Sequence, residues 1–598
     1  MRSRILFTSL LTALFVLASG CGTTPNCPVC GTTVNGNYAV IDIVPVPEHN
    51  PTGEPGGPFN SFDISWIDPV HHRDYVSDRV GLTVDVFDTV NNLAVNTIAG
   101  TNGVAGAGDN ASMCIQNQAM NPPTDIIPPL VSVNGNFTRF GCRTAVPGNT
   151  AFQLSSGFGA NHQFGGFPGA QCCASRGNGV NPMSGPDGEV VTPDGNTLFT
   201  GNGSSSVVVF DLTTNPPTVI ADIPTGVPAD YDGPQSIAPC IASWNGEAGS
   251  SAFCGDDRAD ELSYDPKDQI LAVINGDPGL PFITFIDVSG VVARTSHCLP
   301  VNPNLPYGPP IIAGGTGSSI TPSTGPLNPA SCILGQIYYD GALPVSNTVV
   351  VDNGNGFACP DPSNPTTLSG ASGAPPYITG AASIPCHHGP IIDAATGVYD
   401  PTCASSTCMG AISPAGLGGH AWNPNTGYFL FTNSNSTTIT NVGSIDVINP
   451  KSPAGPVVVN SFPVLNCMPT SVTQGPGDNF LIGCADHDGE AFPPNEYVMV
   501  GTTGQIVASI WNVGGVDETW YNPTDNRYYL AARDMPTGPV LGIIDATTNL
   551  WLANAPTNTN SHSVAVDPSN NHVFVPMQTG GICGTQSGNG CVAVMAEQ

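Results

Sequence analysis

One pattern constrains this chain more than any other: a unit that it repeats. SFDISWIDPVHHRDYVSDRVGLTVDVFDTVNNLAVNTI begins at Ser61, ADELSYDPKDQILAVINGDPGLPFITFIDVSG at Ala259, VDETWYNPTDNRYYLAARDMPTGPVLGIIDATTNLWLANA at Val516 and HSVAVDPSNNHVFVPM at His562. Each copy holds a short apolar stretch, an Asp-Pro or Asn-Pro turn, an aromatic-rich stretch, and apolar residues that end in Ile-Asp or Phe-Asp before a second polar turn. Short strands repeating at this spacing cannot bury their apolar faces singly. Stacked radially they form a β-propeller.

Seven units can be laid out, with turn landmarks at Asp68, Asp194, Asp265, Asn423, Asp478, Asn522 and Asp567. The last four are separated by about 45 to 55 residues, the period of a four-stranded blade. The fold expected is therefore all-β, a seven-bladed propeller spanning 38–598 as one domain. The seventh unit runs out after three strands, while YAVIDIVPV from Tyr38 belongs to no unit. This orphan is expected to complete the seventh blade and close the ring, which removes open sheet edges. Three stretches do not repeat: 101–186, 230–258 and 302–417. They are rich in Gly, Pro, Ser, Asn and Cys and read as disulfide-braced loop insertions, the last being large enough for a lid or small subdomain.

The chain opens as an export signal. MRSRILFTSLLTALFVLASGC has an Arg2/Arg4 start, an apolar run too short to span a bilayer comfortably, and Ala18-Ser19-Gly20-Cys21 in the position of a lipoprotein box. The expectation is a signal peptide at 1–20, lipidation of Cys21 and a tether at 21–37. Ordinary signal cleavage near Gly20 is the alternative. The destination is the outer membrane or cell surface, or else the periplasm or the medium. The 19 cysteines leave an even 18 once Cys21 is set aside, as an oxidising compartment favours. Close pairs are Cys27 with Cys30, Cys240 with Cys254, Cys403 with Cys408, Cys467 with Cys484, and Cys583 with Cys591.

With 13 basic and 45 acidic residues the net charge is −32. Phosphate backbones would be repelled, so nucleic acid is excluded as a partner. Contact with the membrane is expected only through the lipid anchor. A protein or small-molecule ligand remains open, and a monomer is expected.

The turns at Asp68-Pro69, Asp265-Pro266 and Asn522-Pro523, the endings VDVFD at 84–88, VVFD at 208–211 and Ile544-Asp545, and the YYLA run at 528–531 resemble the YVTN-type β-propeller family. The resemblance covers 62–596 apart from the insertions. It implies a secreted bacterial seven-bladed propeller. Related propellers include binding and surface proteins, lactone-cleaving enzymes and lyases, so no single activity follows from fold.

Candidate chemistry comes from blade geometry. Residues just before each innermost apolar stretch should lie near the channel mouth: Asp63; Glu189; Asp260 and Glu261; His420; Asp517 and Glu518; His562. Such positions also serve to brace blades through hydrogen bonds. Asp260-Glu261 and Asp517-Glu518 repeat one acidic pair. Glu261, Glu518, His420 and His562 form the candidate set for a divalent cation, Ca²⁺, Mg²⁺ or Zn²⁺. Two readings follow: a binding or interaction module at the cell surface, or a metal-dependent lactonase-like hydrolase or lyase with its site in the channel. No nucleophile elbow, Walker loop, His-Glu-x-x-His or haem-attachment motif occurs. Cys386-His387-His388, His71-His72 and the acidic run at 486–490 read as ordinary loop residues. Trp66, Trp422 and Trp520 on first strands read as packing residues or as a stacking surface.

Overall fold

The computed structural model describes residues 38–47, 59, 62–79, 83–99, 186–202, 206–225, 259–275, 282–295, 298, 332–339, 417–434, 442–453, 456–485, 495–584 and 590–598, with short strands at 131–133, 136–138, 357–358, 385–387, 391–393, 398–399 and 408–410. The signal segment, Cys21, the tether, the 486–490 run and the pairs Cys27/Cys30, Cys240/Cys254 and Cys403/Cys408 lie outside the described residues.

Seven antiparallel sheets stand around one axis. Blade 1 is Phe62–Asp68, Arg73–Asp78, Thr83–Asp88 and Leu93–Ala99. Blade 2 is Glu189–Val191, Thr197–Asn202, Ser206–Asp211 and Thr218–Pro224. Blade 3 is Ala259–Asp265, Ile270–Asn275, Phe282–Asp287 and Ile333–Tyr339, widened outward by Pro385–His387 and Phe357–Ala358. Blade 4 is Leu417–Asn423, Tyr428–Asn433, Val442–Asn449 and Val457–Leu465; blade 5 is Met468–Gln474, Asn479–Ala485, Glu496–Val500 and Ile506–Ile510. Blade 6 is Glu518–Asn522, Arg527–Ala532, Val540–Asp545 and Leu550–Pro556. Blade 7 is Ala565–Asp567, His572–Met577 and Cys591–Glu597, completed by Tyr38–Pro45.

The ring closes as the orphan strand implied. Tyr38 pairs with Glu597 and Pro45 with Cys591, antiparallel, with one irregularity between Val40 and Asp42. Side chains fasten the same clasp: the Tyr38 hydroxyl lies 2.9 Å from that of Tyr529, and Arg527 bonds both Tyr38 and, at 2.7 Å, Glu597.

The turn landmarks act through their side chains. Asp68 Oδ1 accepts from the Val70 amide at 2.8 Å, Asp265 from Lys267 at 2.8 Å, Asn423 from Asn425 at 2.9 Å, Asn522 from Thr524 at 3.1 Å and Asp567 from Ser569 at 2.8 Å. A short side-chain acceptor there mimics the backbone of a turn and fixes the hairpin between inner and second strands. The residue that re-enters the second strand takes a left-handed conformation in blade after blade, at His72, Gln269, Asn526 and Asn571, and as glycine at Gly195 and Gly427. The Asp88, Asp211, Asp287 and Asp545 endings cap the next hairpin in the same way.

The core is distributed rather than central. Among the described residues, seven apolar clusters each join the facing sides of two neighbouring blades. Phe199, Val207 and Val209 of blade 2 pack on Leu262, Leu271 and Val273 of blade 3, for example. Burying such side chains stabilises by about 1.5–3 kcal/mol each. Each blade is therefore held by its neighbours, and the ring must be complete for the first and last to be held on both sides.

Among the described residues three disulfides are formed: Cys298–Cys332, Cys467–Cys484 and Cys583–Cys591. The last two are pairs that spacing suggested. The first ties the end of blade 3's third strand to the start of its fourth. The fourth strand, Ile333–Tyr339, pairs with Phe282–Ile286 and lies within the 302–417 stretch, so the blade resumes after an excursion. That stretch also carries a small three-stranded sheet of Ile391–Asp393, Val398–Tyr399 and Cys408–Gly410.

Candidate functional site

The inner strands of all seven blades surround a cavity of 340 Å³, although blade 7 contributes only Val564 to the wall. The inner strands of blades 1, 3 and 6 run from an acidic start to an aromatic finish before the turn. In blade 3, Glu261 precedes Tyr264; in blade 6, Glu518 precedes Trp520 and Tyr521. Trp66, Tyr264, Trp422, Trp520 and Tyr521 make an aromatic collar around the turn end of the cavity. Trp66 and Trp520 meet edge-to-face with centroids 5.1 Å apart. The tryptophans thus serve as both packing and lining.

The acids divide into two sets. Asp63 and Asp260 join Asp187, which immediately precedes blade 2, and the three offer carboxylate oxygens within 4.8 Å of one another. Arg79, at the end of blade 1's second strand, reaches into that group. Its guanidinium lies 2.5 Å from Asp63, 2.7 Å from Asp187 and 3.8 Å from Asp260. A guanidinium there already balances charge where a metal ion would otherwise sit. Asp517 is paired with Arg533 at 2.8 Å. Neither Arg79 nor Asp187 was singled out by the repeat alignment.

The second set is Glu189, Glu261 and Glu518, all lining the cavity. Among the described residues no ion pair reaches any of them. Glu189 is 1% exposed; Ser77 donates to its Oε1 at 2.8 Å, and its Oε2 has no hydrogen-bond partner. Burial pushes its carboxyl well above the usual range, with Asp74, Asp63 and Asp85 adding repulsion. Glu261 and Glu518 face each other and share a hydrogen bond. Burial raises the Glu261 carboxyl to about 8, opposed by the bond from Glu518 and reinforced by Asp260, Asp63 and Asp517. Glu518 is raised further by burial and by Glu261 itself. The protonated Glu518 carboxyl donates and Glu261 accepts, so Glu261 is the first of the two to ionise.

The histidines bond neighbouring blades, although His420 also lines the cavity with an unpartnered Nδ1. His420 donates from Nε2 to the Ala272 carbonyl of blade 3 at 3.1 Å and stacks on Phe431. Burial pushes its imidazole down to about 3. His562 stacks on Phe62 of blade 1; its Nδ1 lies 2.8 Å from the Asn560 carbonyl and its Nε2 3.1 Å from that of Phe62. Of the four candidate cation ligands, Glu261 and Glu518 are brought together, and the two rings brace blade 4 on blade 3 and blade 7 on blade 1. His71 bonds Asp68 in its own turn, and His72 crosses to Asp567 of blade 7.

No protein-family model and no curated protein matches the chain. Solved structures that align with it include hydrazine synthase of Kuenenia stuttgartiensis, at 12% identity and TM-score 0.41, over 91% of this chain and 96% of that one. A chain of the mitotic checkpoint complex aligns at 10% identity and TM-score 0.41, over 100% of both. Likeness at that level carries no statement about activity.

Proposed function

We propose that this protein is a binding module that takes a ligand into its central channel, exported and lipid-anchored at Cys21, monomeric, and of the YVTN-type branch of propellers. One observation carries the binding reading: a 340 Å³ cavity on the ring axis holds a buried glutamate with an unpartnered oxygen, an acid pair, and an aromatic collar. That volume is in the range of small-molecule sites, where apolar walls with a few converging polar groups are the rule.

The second reading, a metal-dependent lactonase-like hydrolase or lyase, draws on Glu261 and Glu518. Its imidazoles serve it poorly: His562 is bonded at both nitrogens, and His420, which lines the cavity with an unpartnered Nδ1, holds Nε2 on the Ala272 carbonyl and has its basicity pushed down by burial. A general base or a mixed nitrogen–oxygen metal site needs a basic imidazole in reach.

The test has two arms on the purified protein. A thermal-shift screen of small molecules, followed by titration monitored through the channel tryptophans, is expected to return ligands that perturb Trp emission. A lactone and ester hydrolysis screen, with and without chelator and with elemental analysis, is expected to stay at background. Chelator-sensitive turnover would replace the binding reading with the enzymatic one.

A further inference from the structure

Resting on the channel-binding reading, we propose that the ligand class is an organic ammonium ion with an apolar or aromatic body. Its ammonium would sit on the Glu261–Glu518 pair and its body against Trp66 and Trp520.

Three features of the cavity converge on that chemistry. The first is charge imbalance. The guanidiniums near the axis, Arg79 and Arg533, are engaged by Asp63, Asp187, Asp260, Asp517 and Asp534. Nothing among the described residues pairs Glu189, Glu261 or Glu518 with a cation. An anionic ligand would be repelled by any ionised member of this set, whereas an ammonium supplies the counter-charge that lets Glu261 ionise.

The second is the Glu189 oxygen. It is a buried carboxyl oxygen in the cavity wall with no hydrogen-bond partner. An N–H donor entering the cavity would remove that cost. The third is the collar. Aromatic faces give a metal ion nothing, because they offer no ligand atoms. They do attract an ammonium through the ring quadrupole and an apolar body through burial. Trp520 lies two residues along the strand from Glu518, about 7 Å. A molecule with its charge and its ring a few bonds apart spans that distance. An ammonium also bonds an ionised Glu261 while Glu518 keeps its proton, so binding below about pH 8 releases the one proton of Glu261.

The groups facing this pair are Asp63 of blade 1, Asp260 of blade 3 and Asp517 before blade 6, with Glu189 across the cavity; Arg79 and Arg533 are held on the aspartates. Proton competition then makes affinity rise with pH up to the Glu261 value of about 8. The limit is about tenfold per pH unit for one displaced proton.

The experiment is calorimetric titration of the full-length protein with phenethylamine and with 2-phenylethanol, which keeps the skeleton and replaces ammonium by hydroxyl. Ca²⁺ and Mg²⁺ alone are added as separate arms. The amine is expected to bind at least tenfold more tightly than the alcohol, and more tightly at pH 8 than at pH 6.5. In Glu261→Gln/Glu518→Gln, amine affinity should fall at least tenfold and lose its pH dependence. Should that variant fail to fold by circular dichroism, Trp520→Leu is the substitute, with amine affinity expected to fall threefold or more. Equal binding of amine and alcohol would remove the ammonium and leave the channel reading standing. Saturable Ca²⁺ or Mg²⁺ binding that competes with the amine would replace the inference with a metal site. Absence of binding by every probe, together with an empty screen, would remove both.

Discussion

Two acidic groups lie a few residues apart around the same axis and are treated in opposite ways. Asp63, Asp187 and Asp260 close on Arg79, so their charge is answered from within the fold. Glu261 and Glu518 have only each other and the protons that burial makes them keep. A buried guanidinium locked by three carboxylates is a fastener between blades 1, 2 and 3. A half-buried acid pair with no cation is a standing cost, tolerated where something is gained from it. The lesson is that acidic residues at equivalent blade positions are not equivalent; what separates them is whether a second strand delivers a counter-charge.

The largest expected effect comes from removing that counter-charge. Arg79→Met should destabilise the ring by about 3–5 kcal/mol at pH 7, read by urea denaturation, because it strands three carboxylates. The deficit should shrink at pH 4 as they take up protons. A deficit independent of pH would mean that Arg79 contributes packing and not charge, and the contrast between the two groups would collapse.

Next in size is the inter-blade brace. His420→Leu should cost about 1–3 kcal/mol, since it leaves the Ala272 carbonyl without its donor. The loss should be flat from pH 5 to 8, because the ring is neutral throughout that span. A slope in that window would return His420 to the list of titrating groups.

The smallest effect has the opposite sign. Below its ordinary value of 4.5, Glu261 is protonated in folded and unfolded chains alike. Between there and about 8 the unfolded chain releases a proton that the folded chain keeps. Stability therefore falls as pH rises across that window. Glu518→Gln should flatten this slope and leave the protein as stable as the parent, or more so, at pH 8. A loss of stability there would show that the pair is a structural bond like the Arg79 group.

Much of this architecture was legible because it repeats. Asp68, Asp265, Asn423, Asn522 and Asp567 announce themselves through the prolines that follow them, and their side chains make the bonds that such turns require. The closing strand was legible by subtraction: a seventh unit short of one strand and a strand short of a unit. Arg79 was not legible, because it stands outside the inner strand where the register was read. Its one signal is scarcity, a basic residue in a chain with 13 of them against 45 acids. Asp187 precedes its strand by two residues and was missed for the same reason. The Cys298–Cys332 bridge was hidden because the blade leaves and resumes, and proximity in sequence says nothing about pairs across such an excursion. His420 and His562 were visible as polar inner-strand residues, yet their direction depends on which neighbouring carbonyl lies in reach, and that is decided by the ring.

The clasp of Tyr38–Pro45 on Cys591–Glu597 has a temporal consequence. The first strand of the propeller to be synthesised pairs with the last. It must stay available, unpaired and uncommitted, while every other blade is made. Long-range closure of this kind is slow, because the loop entropy is lost before the contacts repay it. A chain arrested or clipped just before Cys591 holds nearly all its blades and still lacks a ring. The clasp thus works as a completeness check: only a chain carried through to its final strand can shut.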